Sequence, residues 1–307
     1  MNCVLQIPSF TKFPNLKTLH LSLITFPDDD STQNLFSGCL VLEELVILDC
    51  EWTNLKNIMI SIPTLKKLTI DDLPYFGPPI DFTGCRVMIN TPNLVFLKYT
   101  GYLWNEILLC GLFELMKADI SVSILHEREK EVASHVVYLL KGIQNVGYLK
   151  VSKSTIESLV FAGKLVFNNF PIFKNLIHLE LSMEIGYHTI TALVKFLNFC
   201  PNLQSLYFTK GFDSFEHDIC RVKYDFIWSS PPKCIISSLK TLTFKKFHGN
   251  NSEICFLKFI LKHGLVLNKM NIFWCENLLG DQNWRQEVKN TLETFARGSI
   301  SCVITWG

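Results

Sequence analysis

Few residues in this chain are of a type and spacing to do chemistry. Glu216, His217 and Asp218 stand side by side and together offer oxygen and nitrogen ligands for a divalent ion. Adjacent residues on a loop diverge in direction, so the triplet reads as a solvated loop. Asp28, Asp29 and Asp30 precede Ser31; this reads as a turn and the acidic start of a helix in preference to a cation site. Ala162-Gly163-Lys164 lacks the upstream glycine and the following Ser or Thr of a phosphate-binding loop. No GxSxG elbow and no HExxH pair occurs, and the eight histidines are scattered. Asn250-Asn251-Ser252 spells a glycosylation sequon, but no secretory leader is visible to bring it to the machinery. Lys245-Lys246 is too short for a nucleic-acid patch. The sequence therefore predicts no catalytic residue, no cofactor and no metal site, and hence not an enzyme.

What remains is binding. The candidates are His20, Thr69, Lys98, Asp119, Lys150, Glu180, Tyr207, Thr243 and Asn271, with Val46 interrupting their polar row. All occupy the eighth position of one recurring nine-residue frame, roughly x-Pro-Asn-Leu-x-x-Leu-x-apolar. The frame reads FPNLKTLHL at 13–21, CLVLEELVI at 39–47, IPTLKKLTI at 62–70 and TPNLVFLKY at 91–99. A degenerate copy, LFELMKADI, lies at 112–120. Then come IQNVGYLKV at 143–151, FKNLIHLEL at 173–181, CPNLQSLYF at 200–208, ISSLKTLTF at 236–244 and GLVLNKMNI at 264–272.

The fourth position is Leu in nine of the ten frames and the seventh in eight, while the ninth is apolar in all ten. The mean period is about 28 residues, inside the leucine-rich-repeat range. Positions seven and nine alternate with polar residues, which is the pattern of a short strand with one face buried. The fourth-position Leu closes the turn into that strand, and Pro14, Pro63, Pro92 and Pro201 fix φ just upstream of it. Between frames the chain returns. His188 to Cys200 places Ile190, Leu193, Val194 and Leu197 on one helical face, and Glu129 to Lys141 does so with Val132, Val136, Leu139 and Leu140. Such units bury their apolar side only against stacked neighbours. The expected architecture is an α/β solenoid with parallel strands lining a concave face and helices outside. The long interval from Gly211 to Lys233 reads as a surface loop before a distinct C-terminal part.

Composition agrees. The chain has 307 residues, 48% hydrophobic and 19% charged, with 43 leucines, so it carries apolar material for a long core. A net charge of +1 argues against a nucleic-acid partner. No run of 18 apolar residues predicts a membrane span. Eleven cysteines, none in a CxxC pair, read as free thiols of a reducing compartment. With no signal peptide visible, the expected location is cytoplasmic and/or nuclear.

These repeats resemble the degenerate leucine-rich repeats of plant F-box/FBD/LRR-repeat proteins, and the tail is more specific. SSLKTLTFKKFHGNNSEICFLKFILKHGLVLNKMNI at 237–272, followed by RQEVKNTLETFARGSISCVITW at 285–306, resembles the FBD domain of that family. The features in order are a strand leaving through Phe247 and Gly249, a helix ending at Gly264, a Leu-x-Lys-Met strand, a second helix and a final strand. Read from the residues alone, Ser252 caps the first helix, with Ile254, Leu257, Ile260 and Leu261 on one face. Asp281 caps the second, where Trp284, Val288, Leu292 and Phe295 recur. Gly298 is expected in a left-handed terminal conformation. Ile300, Cys302, Ile304 and Trp306 alternate as a strand.

The resemblance implies an RNI-like horseshoe, with irregular leucine-rich repeats over 1–235 and an FBD domain over 236–307 that continues and caps the solenoid. In that family an F-box precedes the repeats, whereas here Met1 leads into the first frame by residue 13. The expectation is a chain without the helices that grip the Skp adaptor of an SCF ubiquitin ligase, so that adaptor is a partner only if an F-box exists upstream. The implied function is recognition of a protein substrate on the concave face. Two alternatives stand beside it: a regulatory or nonfunctional fragment competing with intact relatives, and a small-molecule receptor.

Overall fold

In seven of the ten frames the chain enters its strand through a turn in which the fourth-position amide donates to the first-position carbonyl. Leu16 donates to Phe13 (3.3 Å), Leu65 to Ile62 (3.1 Å), Leu94 to Thr91 (3.1 Å) and Leu203 to Cys200 (3.3 Å). The same turn is tied to its predecessor. Two consecutive amides, at positions five and six, share the fifth-position carbonyl of the repeat before. Glu43 and Glu44 both donate to Lys17 (2.8 and 3.0 Å), and Lys240 and Thr241 both donate to Gln204 (2.8 and 3.0 Å). The third position adds a side-chain clip: Asn93 Nδ2 reaches the Pro63 carbonyl, Asn202 Nδ2 the Lys174 carbonyl and Ser238 Oγ the Pro201 carbonyl, each at 2.8 Å.

The computed structural model describes residues 3–8, 11–73, 84–124, 128–161, 170–182, 187–212 and 230–307. They fall into two compact units. The first comprises Met1–Val146 with Ser158–Pro171, and the second Gly147–Glu157 with Ile172–Gly307. The triplet at 216–218, the Ala162-Gly163-Lys164 segment and most of the Gly211–Lys233 interval lie outside the described residues.

In the first unit, β1 (Cys3–Val4) pairs with β3 (Ile24–Thr25), and the frame strands β2 (Thr18–Ser22), β4 (Glu44–Leu48), β6 (Lys67–Asp72), β8 (Phe96–Gly101) and β10 (Lys117–Val122) form a parallel sheet in that order. Register holds the seventh position in one line, Leu19 to Leu45, Leu68, Leu97 and Ala118, and the ninth in another. The intervening segments correct one expectation. Between frames, β5 (Asn57–Ile60), β7 (Arg86–Asn90) and β9 (Glu106–Cys110) make a second parallel sheet where a returning helix or irregular turn was expected. Their buried residues alternate: Ile58 and Ile60, Val87 and Ile89, then Ile107. Helix α1 (Asp29–Gly38) packs against β5, and α2 (Glu129–Gly142) packs against β9. The Asp28 triplet is a helix start, as expected. Asp28 accepts the Ser31 amide at 2.7 Å as N-cap, and Asp29 accepts the Lys56 amide at 2.8 Å.

In the second unit, β11 (Tyr148–Val151), β12 (His178–Leu181), β13 (Ser205–Phe208), β14 (Thr241–Phe247), β15 (Lys269–Trp274) and β16 (Val303–Trp306) are parallel neighbours in sequence order. Past Phe244 the β14–β15 pairing slips by one residue, and Phe247 partners Trp274. Helices α3 (Lys153–Phe161), of which Lys153–Glu157 belong to this unit, α4 (Tyr187–Leu197), α5 (Lys233–Ser237), α6 (Asn251–His263) and α7 (Gln282–Glu293) connect the strands. Ile190, Leu193, Val194 and Leu197 of α4 are buried, as the periodicity predicts. Phe208, Phe212, Phe244 and Phe256 pack with ring centroids 4.7–6.4 Å apart.

The tail departs from its sequence reading at three points. The N-cap of α6 is Asn250, not Ser252: Asn250 Oδ1 accepts the Glu253 amide while Glu253 accepts the Asn250 amide, a reciprocal capping box. Gly298 is not left-handed, because α7 already ends at Glu293. Its lack of a side chain is needed instead for close approach, since a Cβ there would sit 2.7 Å from the Lys262 carbonyl oxygen. Ile300 does not join the final strand. It is 99% exposed on a turn, and the strand begins at Val303. Asp281 does cap α7, accepting the Trp284 amide at 3.0 Å.

The ten described cysteines are free thiols. Burial pushes Cys85 and Cys234 up to about 12, which makes them packing residues and not nucleophiles.

Candidate functional site

The eighth frame position lies on the outward side of each strand, because its neighbours at seven and nine point into the core. Strand register turns this into a row. In the first unit His20, Val46, Thr69, Lys98 and Asp119 are consecutive register partners. In the second, Lys150, Glu180, Tyr207, Thr243 and Asn271 are, and Thr305 extends the row onto β16. Thr305 escapes the sequence reading because the last strand lacks the Pro-Asn-Leu lead-in.

The first unit's row is mixed in charge. Asp71, two residues beyond Thr69, is held above the usual carboxylate range by burial and by Asp49, with Lys98 pulling the other way. Asp72 points inward and is raised to about 7. Burial dominates, the Asn105 amide donating at 3.2 Å opposes it, and Asp71 and Asp49 add to it. A cavity of about 630 Å³ lies beside this row and not on it. Positions three and five line it, among them Thr64, Asn93 and the chain Lys17–Glu43–Lys66, whose ion pairs measure 3.2 and 2.7 Å. The two ammonium groups hold the Glu43 carboxyl below its usual range.

The second unit's row is more organised. Lys150 Nζ lies 3.2 Å from Glu180 Oε1, and the Tyr148 hydroxyl donates to Glu180 Oε2. Tyr148 stacks on His178 at 4.7 Å and 7°, and His178 faces Tyr207 at 6.3 Å. Burial and then the Glu180 charge push the Tyr207 phenol up, against Lys150. Further along, the Thr305 hydroxyl donates to Asn271 Oδ1 (2.8 Å) and Asn271 Nδ2 to Thr243 Oγ1 (3.1 Å). Thr243, beneath Asn271, is only 9% exposed. Sequence reading missed the sixth and tenth positions, which share this face by the same period of two: Tyr148, His178 and Lys269 on one flank, Lys245 and Phe273 on the other. Lys245 Nζ sits 3.2 Å from the Phe273 ring centroid.

Among the described residues no three His, Cys, Asp or Glu are grouped to hold a metal, and no helix is long and apolar enough to cross a membrane. The arrangement offers hydrogen bonds, flat aromatic surface and fixed charges along parallel strands.

Comparison with known proteins fits that chemistry. Residues 15–40 match the Leucine Rich Repeat family and residues 227–272 match FBD. An F-box/LRR-repeat protein of Arabidopsis thaliana is 30% identical, the alignment covering 95% of this chain and 68% of the relative. An FBD-associated F-box protein and an F-box/FBD/LRR-repeat protein of the same plant are each 30% identical, over 84% and 97% of this chain and 55% and 62% of the relatives. The chain thus spans between 55% and 68% of the length of these relatives.

Proposed function

Since this chain belongs to the family of F-box/FBD/LRR-repeat proteins, we propose that it is the substrate-recognition part of an SCF-type ubiquitin ligase subunit, binding a polypeptide along its outward strand faces. Proteins of this kind are generally interaction modules and not enzymes. The observation that carries the reading is the continuous register at the eighth frame position, which sets Lys150, Glu180, Tyr207, Thr243, Asn271 and Thr305 side by side. In this reading the sheets line the concave side of a horseshoe, with repeats over 1–235 and a capping FBD region over 236–307. The Skp adaptor would bind an F-box and the strand faces the substrate, in cytoplasm or nucleus.

Photo-cross-linkers placed at Thr69, Tyr207 and, as a control, Lys195 on α4 test it. The expected result is capture of one protein from the two face positions, and ubiquitination of that protein by a ligase reconstituted from the Skp adaptor and this chain fused behind an F-box. Equal capture from Lys195 would move the binding surface off the strands. Capture without ubiquitination would keep the interaction and remove the ligase.

A further inference from the structure

The outward face of the second unit carries three cations, Lys150, Lys245 and Lys269, and one carboxylate, Glu180. That carboxylate is already engaged by Lys150 and by the Tyr148 hydroxyl. Its charge is therefore spent inside the face. Lys245 and Lys269 have no acidic residue beside them on the strands that bear the face: the sixth, eighth and tenth positions of β13 to β16 are Ser205, Tyr207, Thr241, Thr243, Asn271, Phe273, Val303 and Thr305 besides the two lysines and the flanking Thr209 and Gly307. Lys269 is exposed at the start of β15, and Lys245 is braced over Phe273 near the other end of β14. Thr241 is the register partner of Lys269, so Lys245 lies four residues further along, about 13 Å. Between them runs the Thr243–Asn271–Thr305 ladder, whose polar groups bond to one another. The charge pattern extends beyond the face, since Lys and Arg outnumber Asp and Glu in the second unit while the reverse holds in the first.

We propose that this face docks an acidic polypeptide segment in extended conformation, one carboxylate at Lys269 and another at Lys245, with the backbone between them crossing the hydroxyl-amide ladder. An extended chain advances about 3.3 Å per residue, so acidic residues four apart match the two cations. A phosphate backbone is a poorer fit, because it draws its affinity from many cations at once and this face offers only two that have no carboxylate beside them on its strands. The proposal rests on the recognition reading above and specifies the chemistry of the partner.

The test uses the full chain and labelled 15-residue peptides of Gly and Ser carrying Glu four residues apart. Matched peptides carry Gln or Lys instead, and a single-stranded oligonucleotide of 15 thymidines serves as the phosphate probe. Fluorescence anisotropy at about 50 mM salt reads the affinities. The Glu peptide should bind about tenfold more tightly than the Gln peptide, and the Lys peptide least of all. Lys245→Glu with Lys269→Glu should abolish that preference, while Lys262→Glu on α6 should leave it in place. Loss of the preference with Lys262→Glu alone would show an effect of net charge and overturn the site. Tighter binding of the oligonucleotide than of the Glu peptide would overturn the choice of partner. Equal binding of Glu and Gln peptides, both lost on Tyr207→Ala, would sink the acidic assignment yet keep the recognition surface. No binding of any peptide would count against both.

Discussion

Glu253 Oε2 accepts the Gly249 amide at 2.7 Å, and the carboxylate that does so is wholly buried. It also takes the amides of His248 (2.9 Å), Asn250 (3.2 Å) and, through Oε1, Phe212 (2.8 Å). One side chain thereby fixes the exit of β14, the start of α6 and the residue that follows β13's repeat. Gly249 contributes a φ of +75°, and a Cβ there would lie 2.9 Å from Val288.

Replacing Glu253 with Ala leaves those four amides without their acceptor. Each buried donor left unpaired costs about 1–3 kcal/mol, so the second unit should lose at least about 3 kcal/mol in denaturant unfolding. Glu253→Gln keeps one oxygen and should lose less. A loss below about 1 kcal/mol for the Ala variant would mean that water replaces the carboxylate at small cost.

Leu206 is wholly buried at the seventh frame position, between Leu179 and Leu242 in register. Leu206→Ala should destabilise by about 2–5 kcal/mol. Leu19, the same frame position on β2, is only half-buried, and its truncation should cost distinctly less. Equal losses at the two sites would break the repeat-by-repeat account of burial.

The Asp72 carboxyl, raised to about 7 against an unfolded value of 3.8, makes the first unit sensitive to pH. Its folded state holds the proton more tightly, so the stabilisation is complete below 3.8 and is lost as pH climbs toward about 7. Asp72→Asn removes this dependence. Relative to the wild type, the variant should gain about 2–3 kcal/mol between roughly pH 5 and pH 8. A stability difference that stays flat over that range would show Asp72 ionised in the folded state.

β2 pairs with β4 alone among the described residues, and of its side chains only Leu21 is fully buried. Among the described residues no strand pairs with its outer edge. Amides in 16–23 should exchange faster than those in 176–182, whose strand β12 is flanked on both sides. Hydrogen exchange with equal protection in both segments would show that the edge is covered.

The frame strands were legible because three Leu-type positions recur where each has one structural duty: closing a turn at four, filling the core at seven and nine. The β5–β7–β9 sheet was not. Asn57–Ile60, Arg86–Asn90 and Glu106–Cys110 do alternate, but each run is short, and short apolar runs do not separate strand from turn or helix by period alone. At α6 the signal was present and misplaced. Asn250 and Glu253 carry the three-residue spacing of a capping box, and Ser252 drew the assignment two residues late. Ile300 illustrates the opposite error, an alternation extended one step past its strand into a turn held by Cys302 N–H to Ser299 at 3.4 Å. For the candidate site, the row itself followed from the frame. The Tyr148–His178 stack did not, because it depends on sixth-position residues that only strand register brings face to face.

The third-position clips carry a consequence for how such a chain changes length. Asn93, Asn202 and Ser238 set the spacing of successive repeats at the lead-in turns, before the strand and well away from the returning segment. The returning segments differ freely, from the β5 type of connection to the α4 type, without shifting the register of the eighth positions within either unit. Insertions and deletions placed in those excursions are thus insulated from the order of residues on the outward strand face. A lineage could lengthen or shorten the back of a repeat while keeping its outward row of residues, or swap single face residues while keeping its framework.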